Sequence, residues 1–531
     1  MKTYNVILHK GVNYQSFWGD MENENDGGKL YIPNRRVDSP NLRPNSPRQT
    51  WYTLSDEEVE LIRQDERVMA VEIPPEFRDD IFIEPRVTQT GNFTKTTSDS
   101  GTFLNWGLIR HKSKTNNYGS STSTSEDYTY NLDGSGVDIV IQDSGLQFDH
   151  PEFKGTDGVE RTLTIDWYNL SGVSGTQDAN HNRDLDGHGT HVAGIAAGLN
   201  HGVAKGAAVY FVKVNGLEGS GDSGTGISTT DAFDVIKGWH NNKPIDSTTG
   251  YKRPTVVNMS WGYGGLFDSV TSLTYRGTTY SDASTTGNSS YREQNYGLNY
   301  TSGAPSRTFI CNTRIASVDT DVEEMIDAGI HVTIAAGNRG NKVDIPGGDD
   351  YDNYVTTDTG VRYYHRGSSP YSDRAILVGN IDSTANSATK DQKAQSSECG
   401  PGVDIYAAGT NIMSCTSNTN KFADAPYNFD NAYRQCNIGG TSMAAPQVAG
   451  MAALLLQQNP GSKPEVIKAS LERLSGDAIY TSSNADDWTD RRSLLGGTPN
   501  VLFNKNTNDK PTTIQNVPNG FFQGGVKITT K

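Results

Sequence analysis

Between Val448 and Leu456 the chain carries no polar side chain, and Ile438-Gly439-Gly440-Thr441-Ser442-Met443-Ala444-Ala445-Pro446 leads straight into that run. A helix that is apolar all round has to be buried, so this segment predicts a core helix about which the other elements must pack. Pro446 fits only near a helix start, which places the first turn close to Ser442. The Ser442 N–H then belongs to the positive end of the helix, where negative charge is stabilised. Gly439 and Gly440 permit a sharp approach to that end. Taken alone, Ser442 reads as a capping serine.

A nucleophilic serine needs a base, and the base needs an orienting carboxylate. Upstream, Asp184-Leu185-Asp186-Gly187-His188-Gly189-Thr190-His191 runs into Val192-Ala193-Gly194-Ile195-Ala196-Ala197-Gly198, a histidine between glycines opening a second small-residue helix. Earlier still, Gly136-Val137-Asp138-Ile139-Val140-Ile141-Gln142-Asp143-Ser144-Gly145 reads as a buried strand that ends in an acid and a turn. Ligands of open α/β sheets bind at the carboxyl ends of the strands, the position Asp143 takes. Asp143, His188 and Ser442 follow the subtilisin chain order among the known triads. His188 and His191 do not form a His-Glu-x-x-His zinc motif.

The three motifs together resemble those of subtilisin-like serine proteases, the subtilases. Asn105-Trp106-Gly107-Leu108-Ile109-Arg110 and Gly202-Val203-Ala204-Lys205-Gly206-Ala207 are similar to the proteinase K branch. The resemblance runs from about Trp106 to Phe503 and implies a catalytic domain over 105–503. It makes Ser442 the nucleophile, His188 rather than His191 the base, and Asp143 the orienting acid. His191 is then expected to pack and hydrogen-bond beneath the base, and His150 to be structural. Asn338, after the strand Ile330-His331-Val332-Thr333-Ile334-Ala335-Ala336-Gly337, matches the family's oxyanion-hole asparagine and would donate beside the Ser442 N–H. Gly219, Ser220 and Gly221 resemble one substrate-binding edge, and Ser260, Trp261 and Gly262 the other. Ala335, Ala336 and Gly337 are expected to border the substrate, and Trp261 is bulkier than the leucine usual there.

Independently, strands alternating with helices imply an α/β fold with a mainly parallel sheet covered on both faces. With the resemblance this becomes a subtilisin-like three-layer fold. Residues 1–85 differ in character. Tyr4–Leu8 and Glu66–Ile73 read as strands, and Ser55 with Glu58 reads as the capping box of a helix reaching Ile62. This small α+β unit resembles the inhibitory propeptides of the family, although Asn13 to Pro47 is a longer polar excursion than that pattern carries. An independent binding domain is the other reading. Phe77 to Phe103 reads as a polar, accessible linker, with the processing site in or near 86–104, and 504–531 as a polar tail.

The expectation is a serine endopeptidase made as a self-processing zymogen, with polypeptide substrates and its own N-terminal segment as inhibitor. An esterase would need the Gly-x-Ser-x-Gly elbow, which Gly440-Thr441-Ser442-Met443-Ala444 is not. A catalytically inactive descendant serving as a structural module, as in a virus particle, is the remaining rival.

A net charge of −16 argues against nucleic-acid binding through a basic face and is compatible with bound cations. A structural Ca²⁺ is expected from the family, with no assignable ligands. Gly347-Gly348-Asp349-Asp350-Tyr351-Asp352, inside an insertion near 341–367, reads as a hydrated acidic loop in preference to a calcium site. A second insertion near 263–312 reads as a surface excursion rich in Tyr, Ser, Thr and Gly. No segment is long enough to span a bilayer and Met1–Lys10 lacks a signal-peptide core, so a cytoplasmic or virus-associated setting is expected, and secretion only with a leader beyond this chain. Cys311, Cys399, Cys415 and Cys436 allow three pairings or free thiols, with Cys415–Cys436 the pair to test first.

Overall fold

The computed structural model describes residues 1–22, 32, 35–78, 81–85, 105–116, 119, 128, 130–155, 157–172, 174–303, 307–484 and 486–504. At its centre stands a seven-stranded sheet in the order Ile405–Ala408, Ile376–Ile381, His331–Ala335, Thr255–Met259, Asp138–Asp143, Ala208–Lys213, Thr162–Leu163. Every neighbouring pair is parallel. Such strands are covered on both faces and read as unbroken apolar runs, as in Ile139-Val140-Ile141, all fully buried. The helix Thr441–Gln458 packs against the middle strands and against the helix His188–Ala197, while Thr229–Asn242 and Ala316–Asp327 form a second packed pair. This is the expected α/β three-layer fold.

The N-terminal unit is a three-stranded antiparallel sheet in the order Gln49–Leu54, Lys2–Leu8, Val68–Glu72. Helices Tyr14–Glu22 and Asp56–Ile62 accompany it, and Val6, Phe17, Tyr52, Leu54 and Ile62 form its own core. The capping box is present: Ser55 accepts from the Glu58 N–H while the Glu58 carboxylate accepts from the Ser55 N–H.

This unit sits on the helix pair. Glu72 accepts from the Ser317 N–H at 3.0 Å, and Glu76 from the Thr230 N–H at 3.4 Å and its hydroxyl at 2.9 Å. Each carboxylate thereby caps the positive N-terminus of one helix. The polar excursion adds the helix Tyr14–Glu22 and an arm that inserts Arg43, fully buried, between the helices. Arg43 donates to Asp234 (3.1 Å), Asp321 (2.7 Å) and the Thr230 carbonyl (3.0 Å), and also reaches Gln49.

Several expectations need correction. The helix expected at Asp321–Ala328 starts earlier, spanning Ala316–Asp327, because the Glu72 cap serves a first turn the local sequence does not mark. The linker expected from Phe77 does not begin as a linker: Ile81–Pro85 is a strand, paired antiparallel with Trp261–Phe267. Residues 86–104 and 505–531 lie outside the described residues. The insertion near 263–312 is not a loose excursion. Trp261–Phe267 is buried and pairs with Phe309–Asn312, and Val270–Tyr275 pairs with Tyr354–Thr357 of the other insertion. Leu273, Tyr296, Leu298, Val355 and Tyr364 give the two insertions a joint core, which a tyrosine- and threonine-rich segment builds from aromatic area rather than aliphatics.

The acidic loop is not hydrated at its centre. Asp350 is fully buried against Arg276 (2.8 Å) and Lys342 (2.8 Å), which hold its carboxyl far below the usual range against the opposing effect of burial. Those cations take the oxygens a calcium ion would need, and among the described residues no group of three acidic, histidine or cysteine side chains is placed to hold a metal. Cys415 and Cys436 lie on paired strands, Ile412–Thr416 and Asp430–Ile438, yet all four cysteines are free and buried. No described helix is long and apolar enough to cross a membrane.

Candidate active site

Asp143 ends its strand, His188 opens its helix, and Ser442 lies in the first turn of the core helix. All three are buried. Gly187 precedes His188 with φ 89°, a left-handed conformation in which any Cβ would fall 2.4 Å from Asn420 Cβ. His188 Nδ1 lies 2.7 Å from Asp143 Oδ1. A carboxylate only accepts, so Nδ1 carries the hydrogen and Nε2 keeps its lone pair. The same Asp143 oxygen accepts from the Ser144 N–H at 2.7 Å.

The Ser442 hydroxyl donates to the Ser260 carbonyl at 3.0 Å, and Ser260 Oγ donates back to the Ser442 carbonyl at 3.0 Å. His188 Nε2 is buried with no hydrogen-bond partner among the described residues. The serine therefore rests on the substrate-edge strand instead of on the imidazole. Unliganded sites often leave this contact loose.

Asn338 follows the strand His331–Ala335. Its Oδ1 accepts from the Thr441 N–H (2.9 Å) and hydroxyl (3.2 Å), which turns Nδ2 the other way. Nδ2 is a buried donor without a partner among the described residues. Gly337, at φ 123°, brings its N–H to Thr441 Oγ1 at 3.1 Å, so Ala335-Ala336-Gly337 stands one residue from the serine.

The two substrate edges differ. Ser260-Trp261-Gly262 is occupied: Pro85 pairs with Trp261, Glu84 with Gly262, and the register continues to Ile81 with Gly265. Trp261 is fully buried and meets Tyr263 edge-on at 5.8 Å, so it belongs to the core and does not wall an open subsite. Gly219 packs against the Leu185 and Asp186 backbone, while Ser220 and Gly221 form an exposed turn with no strand partner among the described residues.

His191 bonds the Cys436 carbonyl at 3.1 Å, and burial drives its pKa down to about 3, which keeps it neutral. His150 bonds the Arg434 carbonyl at 3.1 Å and caps the turn at Glu152. Sequence reasoning missed Asp184. Its carboxylate accepts from the Gly187 and Thr190 N–H groups at 2.8 and 2.9 Å and from Ser144 Oγ at 3.0 Å, tying the base's helix to the Asp143 turn. An aspartate six residues before a helical threonine was the only available signal. Glu398, which backs Gly337, was also missed because no local pattern marks it.

The family model of the peptidase S8 subtilases matches residues 134–498. The chain belongs to the subtilase family. It is 26% identical over 420 residues to the extracellular serine proteinase of Thermus sp. (strain Rt41A), covering 78% of this chain and 68% of that protein. It is 28% identical over 411 residues to the subtilisin-like serine protease Pen c 2 of Penicillium citrinum, covering 75% of this chain and 64% of that one. Of the subtilisin-like proteinase Spm1 of Pyricularia oryzae it spans 54% of the length. The structure of fervidolysin from Fervidobacterium pennivorans, a keratinolytic enzyme related to subtilisin, superposes with a TM-score of 0.51 at 16% identity, covering 94% of this chain and 60% of that one. This subtilase therefore shares the fold of that structure.

Proposed function

We propose that this subtilase is a serine endopeptidase that works through Asp143, His188 and Ser442 and is made as a self-processing zymogen. Rotation of the Ser442 hydroxyl off Ser260 turns it toward His188. As Ser442 Oγ bonds the scissile carbonyl carbon, its proton passes to His188 Nε2 and the carbonyl electron pair moves onto oxygen. The Ser442 N–H and Asn338 Nδ2 hold that oxygen, and Asp143 stabilises the imidazolium. Collapse breaks the C–N bond, the amine leaves with the proton from His188, and an acyl-enzyme remains. Water then repeats the sequence and restores Ser442.

One observation carries this reading: beside Ser442 lie two buried, unpartnered groups, the lone pair of His188 Nε2 and the donor Asn338 Nδ2. Buried polar groups are normally satisfied, and leaving one unmade costs about 1–3 kcal/mol. A base and an oxyanion donor kept waiting beside a serine explain that cost; an inactive structural module does not. The zymogen half is supported by the strand Ile81–Pro85 lying on Trp261–Gly265 in the manner of an added substrate strand.

The test is labelling with a fluorophosphonate probe followed by peptide mapping. Covalent modification is expected on Ser442 and lost in His188→Ala. A properly folded, processed protein that takes no label refutes the proposal.

A further inference from the structure

We propose that the pocket beside Ser442 selects arginine or lysine as the residue that donates the scissile carbonyl, with Glu398 as the counter-charge. This rests on the endopeptidase reading and names its substrate class.

The pocket lies between two segments that both touch the serine turn. One is Ser260-Trp261-Gly262, through the reciprocal Ser260–Ser442 bonds. The other is Ala335-Ala336-Gly337, through the Gly337 N–H on Thr441. Directly behind the second stands Glu398. Its backbone N–H donates to the Gly337 carbonyl at 2.9 Å. A Cβ on Gly337 would lie 2.6 Å from Glu398 Cγ and 3.2 Å from Oε1, so no side chain can separate the carboxylate from that wall. Oε1 is held by Asn312 Nδ2 at 3.0 Å and the Arg339 N–H at 3.2 Å, which fixes where the charge sits. Glu398 is fully buried. A carboxylate taken out of water costs several kcal/mol unless a cation meets it, and an apolar residue would pack the same wall without that cost.

The strand in the cleft points to the same chemistry. Ile81 to Pro85 runs antiparallel along Gly265 to Trp261, one register step short of Ser260, the residue that bonds Ser442. Its direction brings the chain toward the nucleophile. The residue that follows Pro85 in the sequence is Arg86, outside the described residues, and the bond after it is Arg86–Val87. The chain's own first substrate then offers a guanidinium to the pocket that Glu398 backs.

The test uses the processed wild-type enzyme and a series of peptide p-nitroanilides identical except for Arg, Lys, Leu, Phe or Gln before the leaving group. Arg and Lys are expected to exceed Leu and Phe in kcat/KM by about a hundredfold, the scale on which a buried charge partner acts. Glu398→Gln keeps the acceptor for Asn312 and Arg339 but removes the charge. It should abolish that preference while leaving Leu and Phe turnover within about threefold, which also shows that the variant is folded. Glu398→Asp should restore part of the preference. Mass spectrometry of the mature protein should find Val87 at its N-terminus. A preference for Leu or Phe, or an Arg-to-Leu ratio unchanged in Glu398→Gln, overturns the assignment while the endopeptidase reading stands. Absence of hydrolysis of every peptide, together with no fluorophosphonate label, defeats both.

Discussion

Replacing Arg43 by methionine should loosen the N-terminal unit from the catalytic body without touching the triad. The arginine is fully buried and pairs with Asp234 at 3.1 Å and Asp321 at 2.7 Å. With it gone, Lys237 is left to serve Asp234, at 3.6 Å, while already bound to Glu324 at 2.7 Å. Removing one partner of a buried ion pair costs about 3–5 kcal/mol, because the other charge stays behind unpaired. At about 1.4 kcal/mol per decade, docking should weaken by about 10²–10³-fold or slightly more. Burial already pushes the Asp321 carboxyl up to about 7 against the pull of Arg43, so in the variant it takes a proton more readily and the penalty shrinks below neutral pH. The reporters are built in: the Ser317 and Thr230 N–H groups are bonded by Glu72 and Glu76 of the docked unit. Hydrogen exchange at these two amides, measured in a Ser442→Ala background that keeps both units in one chain, should accelerate by that factor. Amides of the central strand Ile139–Ile141 should exchange as before. If both reporters keep their wild-type rates in a folded Arg43→Met protein, the arginine does not hold the unit down.

Docking should also depend on pH. Burial raises the carboxyls of Glu72, Glu76 and Asp321 in the docked state, so docking takes up protons. A group whose docked pKa lies above its free value favours docking most below the free value and loses that contribution as pH climbs through the docked one. The hold is therefore expected to weaken from about pH 4 to about pH 7, read by the same exchange rates; a hold that strengthens over this range contradicts the sign. Asn338→Leu should leave KM nearly unchanged and lower kcat by about 10²–10³-fold, whereas raised KM at constant kcat would make Asn338 a binding residue. Ser442→Ala should accumulate as the full 57.7 kDa chain, while wild type appears as two fragments; cleavage of the lone mutant at the same bond in a protease-deficient host would rule out self-processing. The family resemblance implies a structural calcium ion, so EDTA should lower the melting temperature by mass action, and an unmoved melting curve removes that expectation.

The catalytic machinery was legible because its signals are local. A small-residue helix opening at Ser442, a glycine-flanked His188, an acid ending a buried strand at Asp143 and Asn338 after another each announce themselves within ten residues, since short-range backbone sterics require those neighbours. The Ser55–Glu58 box was readable for the same reason, its two hydrogen bonds spanning one helical turn. Other features depend on contacts made across the fold. The strand Ile81–Pro85 looked like linker because its partner lies about 180 residues away, and an edge strand needs no periodicity when the sheet it joins supplies the hydrogen bonds. The two insertions looked polar because each contributes only half of a joint aromatic core. Asp350 looked hydrated until Arg276 and Lys342 were brought to it. Burial of charge is decided by which cation arrives, and sequence distance says nothing about that. The sequence by itself determined the parallel α/β core and the four residues around the serine; only the tertiary structure decided where Arg43, Glu398 and the Ser442 hydroxyl point, because each is positioned by partners that local chain geometry does not reach.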